Sequence, residues 1–345
     1  MQKVIKLSSN ETPLGTSSKV LTALDSYAAK YPWDSTFRYP DGSSYKLRTA
    51  LSKKHSINED NIICGNGSDE VLSLIAHCFA GPSDEVIYSE HGFLVYPIAV
   101  RAAGAVPIAV PEKNLKADVD SIIKYSSTKT KICYIANPNN PTGTYLTSEE
   151  LLNLRKNLPE ECILVIDSAY AEYVDKTDYE DGLELAKKFT NVVCTRTFSK
   201  IYGLASLRIG WMYTSSNQII DFINRIRLPF NTNSIAQFAA IEALGDTDFL
   251  LKAKKHNDLW KPWIEDKLKD YGIQTVNGVA NFILAKFKDQ IQANSCYSFL
   301  EEKGILVRKI GEYGLPEYLR ITVGLEDENK ILCDEINNFL KLNGK

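Results

Sequence analysis

The segment that decides the fold reads Thr197-Phe198-Ser199-Lys200-Ile201-Tyr202-Gly203-Leu204-Ala205-Ser206-Leu207-Arg208-Ile209-Gly210, and it follows the strand-like apolar run 191–194. A lysine in an apolar setting has a lowered pKa and can form a Schiff base with a carbonyl group. Hydroxyl groups and an arginine beside it can hold a phosphate. The segment supplies all of these within twelve positions, at Thr197, Ser199, Lys200 and Arg208. It predicts a reactive lysine beside an anion site, and the alternative is an ordinary surface lysine.

Length and composition describe a globular chain. The 345 residues are 44% hydrophobic and 24% charged, with a net charge of −3. This is enough chain for two domains, or for one large α/β body with a satellite. The dispersed lysines and arginines give no electrostatic basis for binding nucleic acid. No apolar run approaches the roughly 20 residues of a membrane span, and residues 1–10 lack the apolar core of a signal peptide.

The cysteines and histidines argue against disulfides and metals. The seven cysteines are odd in number, scattered and without a CxxC pair. This pattern predicts buried, reduced thiols and a cytoplasmic protein. The four histidines show no metal-ligand spacing, so we expect no metal site.

Strand-like and helix-like segments alternate over most of the chain. Continuous apolar runs at 84–88, 131–136 and 162–167 are typical of strands that are covered on both faces by helices. Helices are expected to begin at Ser68 and at Thr147, where Thr147-Ser148-Glu149-Glu150 is a capping box. The alternation predicts an α/β fold.

The pattern changes after about residue 240. A charged helical stretch around 248–255 precedes two strand-like runs at 281–287 and 319–323. We therefore expect a large domain over residues 31–240 and a smaller α+β domain over 241–345. Residues 1–30 are expected to pack with the smaller domain.

Four further segments have the chemistry of a cofactor site. A glycine-rich turn, Gly65-Asn66-Gly67-Ser68-Asp69, precedes a helix whose first N–H groups can bind a phosphate. The rigid loop Asn137-Pro138-Asn139-Asn140-Pro141-Thr142-Gly143 follows a buried strand, where open α/β sheets bind ligands. Asn140 could donate a hydrogen bond to a cofactor oxygen there.

The other two segments carry charge. Asp167 ends a buried strand, which is costly unless a cation such as a protonated pyridine nitrogen meets it, and Tyr170 is near enough to bind the ring hydroxyl. Arg320 lies inside an apolar strand, with Arg308 upstream, and needs an anionic partner. Taken singly, these four segments have ordinary alternatives: a strand-to-helix turn, a plain turn, an N-cap aspartate and a structural salt bridge. Together with the lysine segment they follow the order expected of a pyridoxal-phosphate site.

The chain resembles the fold-type I pyridoxal-phosphate aminotransferases through these segments. It is more specifically similar to their histidinol-phosphate aminotransferase branch through Ser8-Ser9-Asn10-Glu11-Thr12-Pro13-Leu14-Gly15, Arg38-Tyr39-Pro40-Asp41-Gly42 and the run from Tyr313 to Gly324. The resemblance covers nearly the whole chain. It implies a large domain with a mostly parallel seven-stranded sheet between helices, plus a smaller α+β domain.

The resemblance also implies roles for individual residues. Lys200 would hold pyridoxal 5'-phosphate and move the substrate proton, while Asp167 would pair with the pyridinium. The ring would be bound by Asn140 and Tyr170 and stacked by Phe93, and the phosphate would be surrounded by Ser68, Asp69, Thr197, Ser199 and Arg208. Tyr39 would reach that phosphate from a second subunit, which implies a homodimer with shared sites. Substrate would be bound by Asn10, Arg308 and Arg320.

The implied reaction moves an amino group between glutamate and a small phosphorylated substrate, with the histidinol phosphate and imidazole acetol phosphate pair as the first candidate. Family members usually carry an N-terminal arm before the Asn-Glu-x-Pro segment, whereas Asn10 is reached almost at once here, so we expect part of the imidazole-side wall to be absent. This favours a smaller pair such as dihydroxyacetone phosphate and serinol phosphate. Decarboxylation of a phosphorylated amino acid uses the same electron sink and is a third possibility. A non-catalytic regulator is the fourth, and the presence of Lys200 and Asp167 argues against it.

Overall fold

The computed structural model describes residues 4–30 and 37–342. The start of the predicted N-terminal segment and the first residues of the predicted large domain therefore lie outside the described residues. Thirteen strands are present in the described part: β1 Ile5–Lys6, β2 Ile62–Gly65, β3 Glu85–Ser89, β4 Val106–Val110, β5 Thr130–Ala136, β6 Ile163–Asp167, β7 Val192–Thr197, β8 Gly210–Tyr213, β9 Gln274–Thr275, β10 Phe282–Lys286, β11 Ile305–Leu306, β12 Arg308–Lys309 and β13 Tyr318–Thr322.

Twelve α-helices accompany them in the same ranges: α1 Ser18–Lys30, α2 Tyr45–His55, α3 Gly67–Phe79, α4 Val95–Ala102, α5 Val119–Tyr125, α6 Ser148–Asn157, α7 Leu183–Lys188, α8 Asn217–Ile226, α9 Ser234–Leu244, α10 Thr247–Asp270, α11 Gln290–Glu302 and α12 Glu326–Leu342. Among these helices, none has both the length and the apolar character needed to cross a bilayer. The predicted capping box of α6 is present, with Thr147 Oγ1 accepting from the Glu150 N–H at 3.2 Å. Helix α3 begins at Gly67, one residue before the predicted start, with Asn66 as its N-cap.

The large sheet has seven strands in the order β2-β8-β7-β6-β5-β3-β4. Six of them run in the same direction, and β8 runs antiparallel to both of its neighbours, β2 and β7. Strands β5 to β7 are almost wholly buried because apolar side chains on both faces pack under helices. The predicted α/β class with a mostly parallel seven-stranded sheet is confirmed.

The C-terminal part of the chain forms a second, smaller sheet with its own apolar core. An antiparallel sheet of order β12-β13-β10-β9 packs with α10 to α12 around a separate apolar core. Strand β1 pairs with β11, so Ile5 and Leu7 belong to this core, but Val20 of α1 lies in the core of the large sheet. The N-terminal segment is thus divided between the two cores, where the sequence predicted it beside the smaller domain throughout. The domain boundaries themselves stay predictions.

Candidate active site

The site forms at one edge of the large sheet. The parallel strands β5, β6 and β7 end there together, and the register pairs Ala136 with Asp167 and Asp167 with Thr195. Because β8 is antiparallel, its first residue Gly210 meets the last residue of β7, Thr197, at the same edge. Gly65, which ends β2, also pairs with Gly210. Topology therefore brings the separate sequence segments to the carboxyl ends of parallel strands, where open α/β sheets bind ligands.

One cavity of about 330 Å³ collects the predicted residues. Its lining includes thirteen of the fourteen predicted site residues, namely Asn10, Ser68, Asp69, Phe93, Asn140, Asp167, Tyr170, Thr197, Ser199, Lys200, Arg208, Arg308 and Arg320. The fourteenth, Tyr39, is 80% exposed and stacks on Phe230 outside this cavity. Within one chain, the structure brings together every predicted residue except Tyr39.

Lys200 lies where an amine can act as a nucleophile. Its Nζ is 3.3 Å from the Ser9 carbonyl oxygen and 5.6 Å from the centre of the Tyr170 ring. Burial, reinforced by the nearby positive charge of Arg320, lowers the pKa of Lys200 to about 8. At pH 7 about a tenth of Lys200 is therefore neutral, against about one part in three thousand for an ordinary lysine. Lys200 fits a group that bonds to an aldehyde.

This lowered pKa predicts a pH profile for the cofactor-free protein. Only the neutral amine attacks an aldehyde, so the rate constant for capture of pyridoxal phosphate should rise with pH through about 8 and level off above pH 9. Stopped-flow absorbance measures this rate, and the rate for Nα-acetyllysine, expressed per neutral amine, corrects for ionisation of the aldehyde itself. A corrected rate that still climbs steeply between pH 9 and 10.5 would contradict the lowered pKa.

Among the described residues, Asp167 is a buried carboxylate with no cationic side chain as an ion-pair partner. It is 4% exposed, and among the described residues no lysine, arginine or histidine forms an ion pair with it. Thr195 Oγ1 donates to one carboxylate oxygen and the Tyr96 hydroxyl donates to the other, each at 3.0 Å. Burial raises the pKa of Asp167 to about 6, although these two hydrogen bonds act in the opposite direction. A cation that binds next to Asp167 would relieve this cost.

The predicted phosphate site is a cluster of short polar contacts at the start of α3. Arg208 donates to Ser199 Oγ and to Asp69, both at 3.1 Å, and Thr197 Oγ1 donates to Ser199 Oγ at 3.0 Å. Gly67 has a φ of +74°, and a Cβ atom there would lie 2.3 Å from the Arg208 guanidinium. Glycine at this position thus lets Arg208 lie over the α3 N-terminus, and the two together suit an anion.

The opposite wall carries a second positive region. Arg320 is 6% exposed and donates to Asn140 Oδ1 at 2.5 Å and to the Ser8 carbonyl at 2.8 Å. No carboxylate of the described residues pairs with it, and its Nε is buried without a hydrogen-bond partner. Arg308 is half exposed and pairs with Glu312 at 3.2 Å. A buried arginine such as Arg320 is costly without an anion, so this wall suits an anionic substrate.

Asn10 contacts Tyr170, one of the residues predicted to bind the cofactor. Its Nδ2 donates to the Tyr170 hydroxyl at 2.9 Å, and its backbone, at φ +58°, is held by the Thr322 hydroxyl and by Asn281. In this conformation the Asn10 amide orients Tyr170.

Three of the residues that sequence reasoning missed have side chains of evident importance to the site. Tyr96 and Thr195 hold the Asp167 carboxylate, and Tyr313 lines the cavity. Thr195 had a usable signal, because it lies two residues before Thr197 and so on the same face of β7. Tyr96 had none, since its contact with Asp167 depends on how α4 packs on the sheet.

Known proteins are similar to this chain in both sequence and fold. The model of the family "Aminotransferase class I and II" matches residues 2–336. The chain is 45% identical over 342 residues to a histidinol-phosphate aminotransferase of Rhodopseudomonas palustris strain BisB18, covering 98% of this chain and 92% of the relative. It is 43% identical over 342 residues to the enzyme of that name from Paramagnetospirillum magneticum, covering 99% and 93%.

A solved structure is similar to this chain over nearly its whole length. The crystal structure of histidinol-phosphate aminotransferase from Sinorhizobium meliloti in complex with pyridoxal-5'-phosphate is similar with a TM-score of 0.92 and 26% identity, covering 99% of this chain and 92% of that one. The chain belongs to the class I and II aminotransferase family.

Proposed function

We propose that this aminotransferase moves an amino group between glutamate or 2-oxoglutarate and the histidinol phosphate and imidazole acetol phosphate pair. The observation that carries the proposal is the positive wall formed by Arg320 and Arg308 in the same cavity as Lys200. Arg320 has no carboxylate partner among the described residues, so it is free to bind a carboxylate or a phosphate. Relatives 43% and 45% identical over nearly the full chain carry the name of this enzyme.

Pyridoxal 5'-phosphate is the cofactor of this transamination, and the residues present fit it in three ways. Asp167, buried without a cationic side chain, suits the protonated ring nitrogen. Arg208 and the α3 N-terminus suit the phosphate, in a space that Gly67 keeps open. Lys200, with its lowered pKa, suits the aldehyde carbon.

When bound, the cofactor supplies an electron sink for the charge that develops at the substrate α-carbon. Asp167 remains ionised beside the ring nitrogen and keeps that nitrogen protonated. Lys200 would hold the cofactor between turnovers, and its Nζ would take the proton from the substrate α-carbon and deliver it to the cofactor carbon that receives the amino group. Arg320 binds an anionic group of the substrate and so sets which bond stands perpendicular to the ring. Phe93 would stack on the ring, and Asn140 and Tyr170, which line the same cavity, would bind its hydroxyl.

The competing substrates can be separated by steady-state kinetics with 2-oxoglutarate as acceptor. We expect kcat/KM for histidinol phosphate to exceed that for serinol phosphate by at least about tenfold, since one well-placed polar contact contributes this much. Glutamate formation reports transamination, and trapped carbon dioxide from an O-phosphorylated amino acid reports decarboxylation. Faster turnover of serinol phosphate, or release of carbon dioxide at a comparable rate, would overturn the proposed substrate.

The proposal includes a cytoplasmic homodimer with shared sites. All seven cysteines are free and six are buried, which supports a reducing compartment. Tyr39, Phe37 and Leu228 are each at least 71% exposed, and Tyr39 stacks on Phe230 at 4.6 Å. Large apolar side chains grouped on a surface support a covering partner, here a second copy that receives Tyr39 at its phosphate site.

Mixed dimers test the sharing of sites. If Tyr39 serves the neighbouring subunit, a dimer of one Tyr39→Phe chain and one Lys200→Ala chain contains one site with both residues intact. That site should bind the cofactor as the wild type does, whereas Tyr39→Phe homodimers should bind it about ten- to a hundredfold more weakly, because a hydrogen bond to a charged phosphate is lost. Differentially tagged chains allow the mixed species to be isolated. Mixed dimers as weak as the Tyr39→Phe homodimer would contradict sharing.

A further inference from the structure

The strongest feature that the proposed mechanism leaves unused is His91, in the loop between β3 and α4. We infer that His91 is a positioning residue that holds the Tyr313 wall of the cavity against the Phe93 and Asn140 loops, and so sets the affinity for substrate. This inference deepens the proposed function and rests on it. Three sets of contacts carry it.

The imidazole ring is tied to the C-terminal part of the chain. Its Nδ1 lies 2.6 Å from the Tyr313 carbonyl oxygen, 222 residues away in sequence. A carbonyl only accepts, so Nδ1 carries the hydrogen and donates it. The ring also packs on Gly314, where a Cβ atom would lie 3.5 Å from both Nδ1 and Cε1. Gly314, with φ +78°, ends the short 3₁₀ helix Gly311–Tyr313, so His91 contacts the turn that fixes Tyr313.

The backbone of His91 is tied to the large sheet. Its N–H donates to Glu112 at 3.3 Å, and Ser89 Oγ donates to the same carboxylate oxygen at 2.6 Å. The His91 carbonyl accepts from Asn139 Nδ2 at 3.4 Å. The neighbouring Gly92 N–H closes a tight turn onto the Ser89 carbonyl at 2.7 Å. His91 is therefore anchored on the sheet side and reaches across to Tyr313.

The residues on both sides of this link line the substrate cavity. Phe93 follows His91 by two positions, and Asn140 follows Asn139 by one. Tyr313 is buried and interacts with the Arg320 guanidinium, whose own hydrogen bond goes to Asn140 Oδ1. The contacts thus link His91 to Tyr313 and Tyr313 to Arg320. Arg320 in turn contacts Asn140, and the adjacent Asn139 contacts His91. Loss of the His91 bond removes one of these contacts on the substrate wall and leaves Lys200 and Asp167 untouched.

The test uses the half-reaction of the cofactor-loaded enzyme with L-glutamate, followed by cofactor absorbance. His91→Ala should raise the apparent dissociation constant for glutamate about three- to tenfold, the range for one lost hydrogen bond. Its limiting rate should stay within about twofold of the wild type, because Lys200 and Asp167 lie outside these contacts. His91→Asn, whose amide donor takes the place of Nδ1–H, should restore the dissociation constant. His91→Gln, whose donor lies farther out, should behave like the alanine variant.

His256→Ala is the matched control. His256 Nε2 also bonds a backbone carbonyl, that of Gly324, at 2.9 Å, but His256 does not line the cavity. Loss of this hydrogen bond in His256→Ala should lower the melting temperature and leave the dissociation constant for glutamate unchanged.

Two results would overturn the inference: an unchanged dissociation constant in His91→Ala, or equal constants in the Asn and Gln variants. The Asn and Gln pair decides the matter if the alanine variant does not fold. Because glutamate is the probe, failure of histidinol phosphate as a substrate would be seen separately and would leave this comparison readable.

Discussion

Replacement of Lys200 by alanine should lower turnover by at least about a thousandfold and abolish the visible absorption band of the lysine-bound cofactor. In the proposed mechanism the variant loses both the covalent attachment and the base that moves the α-proton, and proton transfer by a positioned side chain alone contributes about 10²- to 10⁴-fold. Among the described residues that line the cavity, Lys200 is the only lysine. Stopped-flow and steady-state assays at saturating pyridoxal phosphate measure both effects.

Lys254→Ala is the control for this variant. Lys254 lies on α10 outside the cavity lining and pairs with Asp258 at 2.7 Å and with Asp175 at 3.2 Å. Its removal costs at most about 1 kcal/mol of stability, as for other exposed ion pairs, and should leave the absorption band intact. A Lys200→Ala enzyme that keeps the band, or turns over within tenfold of the wild type, would remove Lys200 from the centre of the mechanism.

The second large effect is expected for Asp167→Asn. Asparagine keeps the size of the side chain but cannot carry the charge that matches a protonated ring nitrogen. Breaking a buried ion pair costs about 3–5 kcal/mol, so kcat should fall about 10²- to 10⁴-fold and cofactor affinity should fall with it. Substrate KM should change far less, because the substrate wall is formed by Arg320 and its partners. Steady-state kinetics and equilibrium cofactor binding give these numbers.

Thr195→Val serves as the graded comparison. It removes one hydrogen bond to the Asp167 carboxylate and keeps the negative charge and the second hydrogen bond from Tyr96, so its effect should be about tenfold. The variants therefore separate the charge of Asp167 from its orientation. If Asp167→Asn and Thr195→Val had equal, small effects, the charge would have no special role.

Local sequence patterns predicted most of the fold and most of the site. Lys200 and Asp167 could be found because each follows a buried apolar strand, and parallel strands bring their ends to one edge. The cluster at the start of α3, which we predict to bind the phosphate, could be located because a glycine turn and a helix start are adjacent in sequence.

Contacts between distant segments could not be predicted in this way. The bonds from Tyr96 to Asp167, from Asn10 to Tyr170 and from His91 to Tyr313 join residues 71, 160 and 222 positions apart. They depend on helix packing and on how the two sheets are placed, which periodicity does not determine. The predicted role of Tyr39 depends on a second chain. Tyr39 is exposed in the single chain, and it could reach a phosphate site only in a neighbouring subunit.

The central claim is that one cavity uses Lys200 and a bound cofactor to take an amino group from a phosphorylated substrate. The most direct measurement is a single half-reaction, in which enzyme loaded with pyridoxal phosphate is mixed with histidinol phosphate in the absence of any keto acid. The account predicts loss of the visible band of the lysine-bound cofactor and appearance of its amine form. A band unchanged by histidinol phosphate, beside a full response to glutamate, would contradict the proposed substrate and direct the search to smaller phosphorylated partners.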